Sequence, residues 1–195
     1  GIELALACQW VENVIAESAC GIMDQIAVVA GKGGFVLPLV CQPCLPEPLI
    51  QLPKELQVWG IDSGLSHQVS GIEYEAARAA AFMGYKIICD QEQIPVTVDN
   101  RSEIERFTDS RWDGYLANLS PALFHEKYEN NLPISLNSAE YLAKYGFHVD
   151  PYTPLKEGVT YHIRANTRYA VEENYRVQLF SELSRGASLT SSKRS

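Results

Sequence analysis

Leu4, Cys8, Val11 and Ile15 recur at the spacing of one helical face and predict a first amphipathic helix with that stripe turned toward a core. On the helical wheel Glu12 falls about 70° from the centre of the stripe, so it borders the predicted buried face. A small-residue turn, ESACG, comes next, and a second helix is expected over 22–30, ended by the glycines of GKGG. It is apolar on almost every side, which predicts burial. The pattern then changes to strands in GFVLPLV and LQVWGIDS, with Pro38 confining the first to a sheet edge. Between them CQPCLPEPLIQLP reads as a proline-rich connection.

From 73 to 88 the helical period returns, supported by the alanines of EAARAAA, with Tyr74, Arg78, Ala81 and Tyr85 along one side. CDQEQIPVTVDNRSEIER is polar and acidic and reads as a surface excursion. The remaining third of the chain is mainly helical in pattern. SPALFHEKYENN opens with Ser-Pro, a helix start, and NSAEYLAKYG carries a capping box, Asn137 with Glu140, and a stop at Gly146. A short strand in VTYHIRA and a helix over 171–183 complete the pattern, and GASLTSSKRS reads as a flexible polar loop. No internal repeat is present. A composition shift over 66–71 divides a mixed αβ portion from a mostly helical one, and the whole is expected to be α+β.

Composition narrows the function classes. With 46% apolar and 21% charged residues the chain has ordinary globular composition, and no apolar run approaches the roughly 20 residues that span a bilayer. No membrane role is therefore expected. A formal charge of −8 repels phosphate backbones, and the cations are scattered apart from Lys193 and Arg194, so nucleic acid is not an expected partner. Five cysteines without a signal peptide fit reduced thiols in a cytoplasmic protein. The chain opens at Gly1, without Met, inside a helical pattern that lacks a capping residue, which is expected of a segment cut from something longer.

Candidate chemistry is concentrated in CGIMDQ, residues 20–25. Asp24 falls in the first turn of a helix, where unpaired N–H groups and the macrodipole favour a negative charge. It either caps the helix or points into a cleft beside a glycine that lets a ligand approach. GIDSG around Asp62 resembles the phosphate-binding turn of actin-like ATPases, and reads equally as a strand end with a glycine turn. Cys41 and Cys44 form a single C-x-x-C without two further ligands at zinc spacing. His67, His125, His148 and His162 have no metal or triad spacing, and Trp59, Trp112 and Tyr115 read as packing residues.

Taken in order, ALACQWVEN, CGIMDQ, a glycine-ended helix, strands and SGIEYEAAR resemble galactokinases of the GHMP sugar-kinase superfamily. VCQP, WGIDSG, AFMGYKII, NLSP and ENYRV are similar to its L-arabinokinase branch. The resemblance implies a GHMP-kinase-like two-domain fold, with 1–68 the last part of the N-terminal domain and 69–195 the first part of the C-terminal domain. It implies ATP-dependent phosphorylation of a monosaccharide at its anomeric hydroxyl, with L-arabinose the first candidate substrate and galactose the second. Asp24 matches the catalytic aspartate, Glu12 the glutamate that helps to hold Mg²⁺ of MgATP, Gly21 a glycine lying against the sugar, and Tyr74 a tyrosine lining the sugar pocket. The family's phosphate loop, P-x-G-x-G-L-S-S-S-A, does not occur in these residues. The remainder of a parent kinase is thus an implied partner, and the chain alone is expected to be inactive. A non-catalytic sugar sensor of the same fold is the alternative.

Overall fold

The computed structural model describes residues 1–41, 44–53, 55–64, 71–99 and 106–192. His67, Lys193, Arg194 and most of the 66–71 composition shift lie outside the described residues. Helices alternate with four two-stranded antiparallel pairs, an α+β arrangement. Contacts group the chain into two units, Gly1–Gln68 with Arg176–Ser195, and Val69–Tyr175.

In the first unit α1 (Ile2–Trp10) runs into a π-helical turn over Val11–Ile15, and α2 (Met23–Ala30) packs against α1. The core holds Ala5, Ile22, Ile26 and Cys44, with Leu6, Val29, Leu37 and Leu39 against it. The face that α1 buries is not the expected one. Leu4 is 58% exposed and Ile15 64%, and Cys8 and Val11 are exposed with them, while Ala5 and Asn13 are buried. The small Ala5 admits Ile22 and Ile26 at close range, and the amides beside it bind loop backbone. Hydrogen bonding thus outweighs the apolar stripe in choosing the face. α2 is likewise only half covered: Ile22 and Ile26 are buried, whereas Met23 and Val28 face outward.

Pro38 splits the expected edge strand in two. β1 (Phe35–Val36) pairs with β4 (Ile50–Gln51), and β2 (Leu39–Val40) pairs with β3 (Leu45–Pro46). Both partner strands come from the stretch read as a connection. LQVWGIDS forms no strand, and Val58, Trp59 and Ile61 are exposed, so Trp59 is not a packing residue within the described chain.

The second unit is built around α3 (Ile72–Gln91), whose later turns are buried all round, from Ala79 and Met83 to Ile88 and Cys89. Trp112, Phe124, Tyr128, Tyr141, Tyr161 and Ile163 complete its core, with Tyr115 also buried. The acidic excursion contains a hairpin, β5 (Thr97–Val98) with β6 (Phe107–Thr108), and Asn100–Glu105 between them lie outside the described residues. α4 (Pro121–Leu123) starts as expected, Ser120 Oγ accepting from the Leu123 N–H at 3.3 Å, and continues as a π-helical turn over Phe124–Tyr128. β7 (Leu136–Asn137) pairs with β8 (Thr160–Tyr161). α5 (Ser138–Tyr145) has the expected capping box, with Glu140 N–H donating to Asn137 Oδ1 at 2.9 Å and Asn137 N–H to Glu140 Oε2 at 3.0 Å. α6 (Ile163–Ser192) begins well before 171 and includes residues 186–192, read from sequence as a flexible loop. No described helix is long and apolar enough to cross a membrane.

Candidate functional site

The first unit brings Glu12 and the CGIMDQ turn together. Glu12 lies in the π-helical turn at the end of α1, half-buried. Such a turn holds one extra residue per i→i+5 hydrogen bond and re-aims the side chains around it, a geometry that recurs at functional sites. Ala16 N–H donates to Val11 O at 3.0 Å in that pattern, and Ser18 N–H caps Glu12 O at 2.9 Å.

Gln25, the residue after Asp24, donates from Nε2 to Glu12 Oε1 at 2.8 Å and reaches Cys20 Sγ at 3.8 Å. The loop before Asp24 is tied to the same helix. Asn13 Oδ1 accepts from the Cys20 N–H at 2.8 Å, and Gln9 Nε2 donates to Cys20 O at 3.3 Å. Gln9 and Asn13 are one turn apart on α1, so a pair of amides at i and i+4 clamps both backbone groups of one loop residue. Hydropathy does not register this ladder. Its only sequence signal is the amide pair on the flank opposite the apolar stripe.

Asp24 sits in the first turn of α2, exposed, and makes no hydrogen bond or ion pair among the described residues. Side-chain capping is therefore not its role in this fold, although the helix N-terminus still favours its charge. Gly21 is exposed, and a Cβ built there meets no atom within 4 Å. Neither a left-handed backbone nor a protein neighbour requires glycine at that position.

Glu12 forms no ion pair among the described residues, and its one partner is a neutral amide. A carboxylate held by a neutral donor keeps its full charge, and hard oxygen suits Mg²⁺, which retains several waters and takes phosphate oxygens. The donor set therefore fits that ion. Among the described residues no group of three or more His, Cys, Asp or Glu side chains is placed to hold a metal, in line with the absence of a zinc-like pattern around Cys41 and Cys44. Those two thiols are free, as are the other three. Burying Gln25 Oε1 without a partner among the described residues costs about 1–3 kcal/mol. The amide cannot rotate to relieve this without setting its oxygen against the Glu12 carboxylate.

In the second unit Tyr74 is half-buried on the first turns of α3, one turn before Arg78. Arg78 Nε donates to Asp150 Oδ2 at 2.7 Å and its terminal nitrogen to Asp150 Oδ1 at 3.2 Å, while the guanidinium lies over the Phe82 ring at 5.2 Å. Burial alone lowers the Arg78 pKa, but the hydrogen bond and charge of Asp150 outweigh it, with the Tyr74 hydroxyl adding to the same effect, and raise it. Sequence reading placed Arg78 on the Tyr74 side of the helix but missed Asp150, 72 residues away. Asp62, the candidate of an actin-like turn, is exposed and accepts from the Gly64 N–H at 2.9 Å, a local turn-closing bond.

Known proteins resemble the chain over spans of different length. An L-arabinokinase of Arabidopsis thaliana is 33% identical over 193 residues, 93% of this chain and 19% of that protein. A galactokinase of Chloroflexus aurantiacus is 38% identical over 79 residues, 40% of this chain and 20% of that protein. A galactokinase of Chloroflexus aggregans is 35% identical over 88 residues, 45% of this chain and 22% of that protein. The chain thus spans about a fifth of the length of these curated relatives. No family model and no solved structure matches it. The relatives define the class: the chain belongs to the GHMP sugar kinases. Within that class it falls in the galactokinase and L-arabinokinase branch, and the L-arabinokinase matches almost its whole length.

Proposed function

We propose that this chain contributes the catalytic aspartate and part of the metal and sugar contacts of an ATP-dependent kinase that phosphorylates a monosaccharide at its anomeric hydroxyl, giving a sugar 1-phosphate. The observation that carries the reading is the 2.8 Å bond between Gln25 and Glu12, which ties the helix bearing one carboxylate to the turn that presents an unpartnered Asp24. Asp24 accepts the proton of the attacking hydroxyl. Phosphoryl transfer through a loose transition state needs positioning and charge neutralisation more than a strong base, so an exposed carboxylate at a helix N-terminus suffices. Glu12 offers a carboxylate oxygen to Mg²⁺; the ion, when bound, neutralises charge on the phosphate oxygens. Gly21, where the fold itself has no need of glycine, leaves its backbone open to the sugar, and Tyr74 lines the sugar pocket. L-arabinose is the first candidate substrate and galactose the second. The five free thiols support a cytoplasmic setting. Turnover belongs to a longer kinase that carries this chain together with a phosphate loop.

The test is an aldose panel assayed for sugar-dependent ATP consumption and for loss of the reducing end, using the full-length kinase that carries this chain. Asp24→Asn is expected to lower kcat by about 10²–10⁴-fold while leaving the melting temperature in place. Full turnover in Asp24→Asn refutes the catalytic assignment. Sugar binding with no phosphorylation of any aldose refutes the enzyme and leaves a sensor.

A further inference from the structure

Gln25 stands beside the proposed proton acceptor, yet its side chain turns away from solvent and toward Glu12. Its Nε2 lies 2.8 Å from Glu12 Oε1 and 3.8 Å from Cys20 Sγ, and its Oε1 is buried with no partner among the described residues. An acceptor buried at that cost requires a compensating gain, and the only strong bond the amide makes is the one to the Glu12 carboxylate.

The type of residue matters as much as its position. Lysine or arginine in this place would also bind Glu12, but would cancel its charge and compete with a cation. An amide fixes one carboxylate oxygen and leaves the charge intact. Partners of this kind, which orient a metal-binding side chain without touching the metal, set both its geometry and its affinity. Gln25 comes directly after Asp24 in α2, so holding Glu12 also sets the spacing between the two carboxylates. The clamp on Cys20 by Gln9 and Asn13 fixes the opposite end of the same turn.

We infer that Gln25 is a positioning residue that holds Glu12 ready for the divalent cation of the nucleotide and locks it to the helix that presents Asp24. The inference rests on the proposed role of Glu12.

The experiment uses the full-length kinase carrying this chain and reads Mn²⁺, as a paramagnetic stand-in for Mg²⁺, from the free-ion resonance signal with ATP present and sugar absent. Gln25→Met keeps the shape and removes the donor. It is expected to weaken Mn²⁺ binding by about tenfold, while the KM for sugar stays within about twofold. Glu12→Gln is expected to weaken Mn²⁺ at least as much, and adding Gln25→Met to it should change nothing further. If Gln25→Met fails to fold, Gln25→Asn, which retracts the amide by one methylene, carries the same expectation. Unchanged Mn²⁺ binding in the Gln25 variant, with weakened binding in Glu12→Gln, overturns the inference and spares the proposed function. A Gln25 variant that loses thermal stability but binds Mn²⁺ normally overturns it too. Unchanged binding in Glu12→Gln removes the role of Glu12 itself, and the inference with it.

Discussion

Replacing Asp150 with alanine removes one half of a buried ion pair and leaves the other half in place. The Asp150 side chain is 0% exposed and Arg78 19%. Two guanidinium bonds, at 2.7 and 3.2 Å, end on its carboxylate, which also accepts the Tyr152 N–H at 3.1 Å. Breaking such a pair from one side costs about 3–5 kcal/mol, because the remaining charge is stranded. The partial exposure of Arg78 and its seat over Phe82 place the expected loss near the lower bound, about 3 kcal/mol. At an m-value of about 2 kcal/mol/M that is a urea midpoint lower by about 1.5 M. Equilibrium unfolding of the 195-residue chain, followed by the fluorescence of buried Trp112 against a Trp10→Phe, Trp59→Phe background, measures it. Arg78→Met with Asp150→Leu should recover much of the loss, since an apolar pair strands nothing. A midpoint shift under about 0.3 M in Asp150→Ala, or a double variant less stable than the single one, refutes the argument.

Gly84→Ala would place a Cβ 1.8 Å from Thr167 Oγ1, where α3 meets α6, and is expected to cost about 1–3 kcal/mol in urea unfolding; Thr167→Ala should recover part of it, and an unperturbed Gly84→Ala would show that the contact has slack. His148 is buried and donates from Nε2 to Thr153 O at 2.6 Å, and burial lowers its pKa below the ordinary value. The unfolded chain therefore binds that proton first, and stability should fall as pH drops below about 6.5. Burial raises the Asp150 pKa, but the hydrogen bonds and charge of Arg78 prevail and lower it. Its contribution is complete above about 4 and is lost as pH falls through the lower folded value. Melting temperature against pH should thus decline in two steps, with His148→Gln flattening only the first; an unchanged upper step in that variant contradicts the assignment.

Local signals read well where the physics is local. The Asn137–Glu140 capping box and the Ser120-Pro121 start depend on residues three apart, and both form as spaced. The alanine-rich helix around Arg78 appears as expected because its propensity and its burial agree. Single-residue chemistry also pointed to CGIMDQ and Glu12, while the partner between them, Gln25, carried no signal beyond its place in the string. The strands failed for the opposite reason. A strand needs a partner, and LQVWGIDS has none among the described residues, whereas LP and IQ in the supposed connection find theirs across Pro38.

Spacing and adjacency along the chain were enough for the helices, their caps and the kinase branch, because each is written in residues a few positions apart. The face that α1 buries, the amide clamp on Cys20 and the Arg78–Asp150 pair came from the folded arrangement instead. Each depends on a donor meeting an acceptor brought from elsewhere along the chain. Hydropathy has no representation of such a meeting, and a buried polar group must make one.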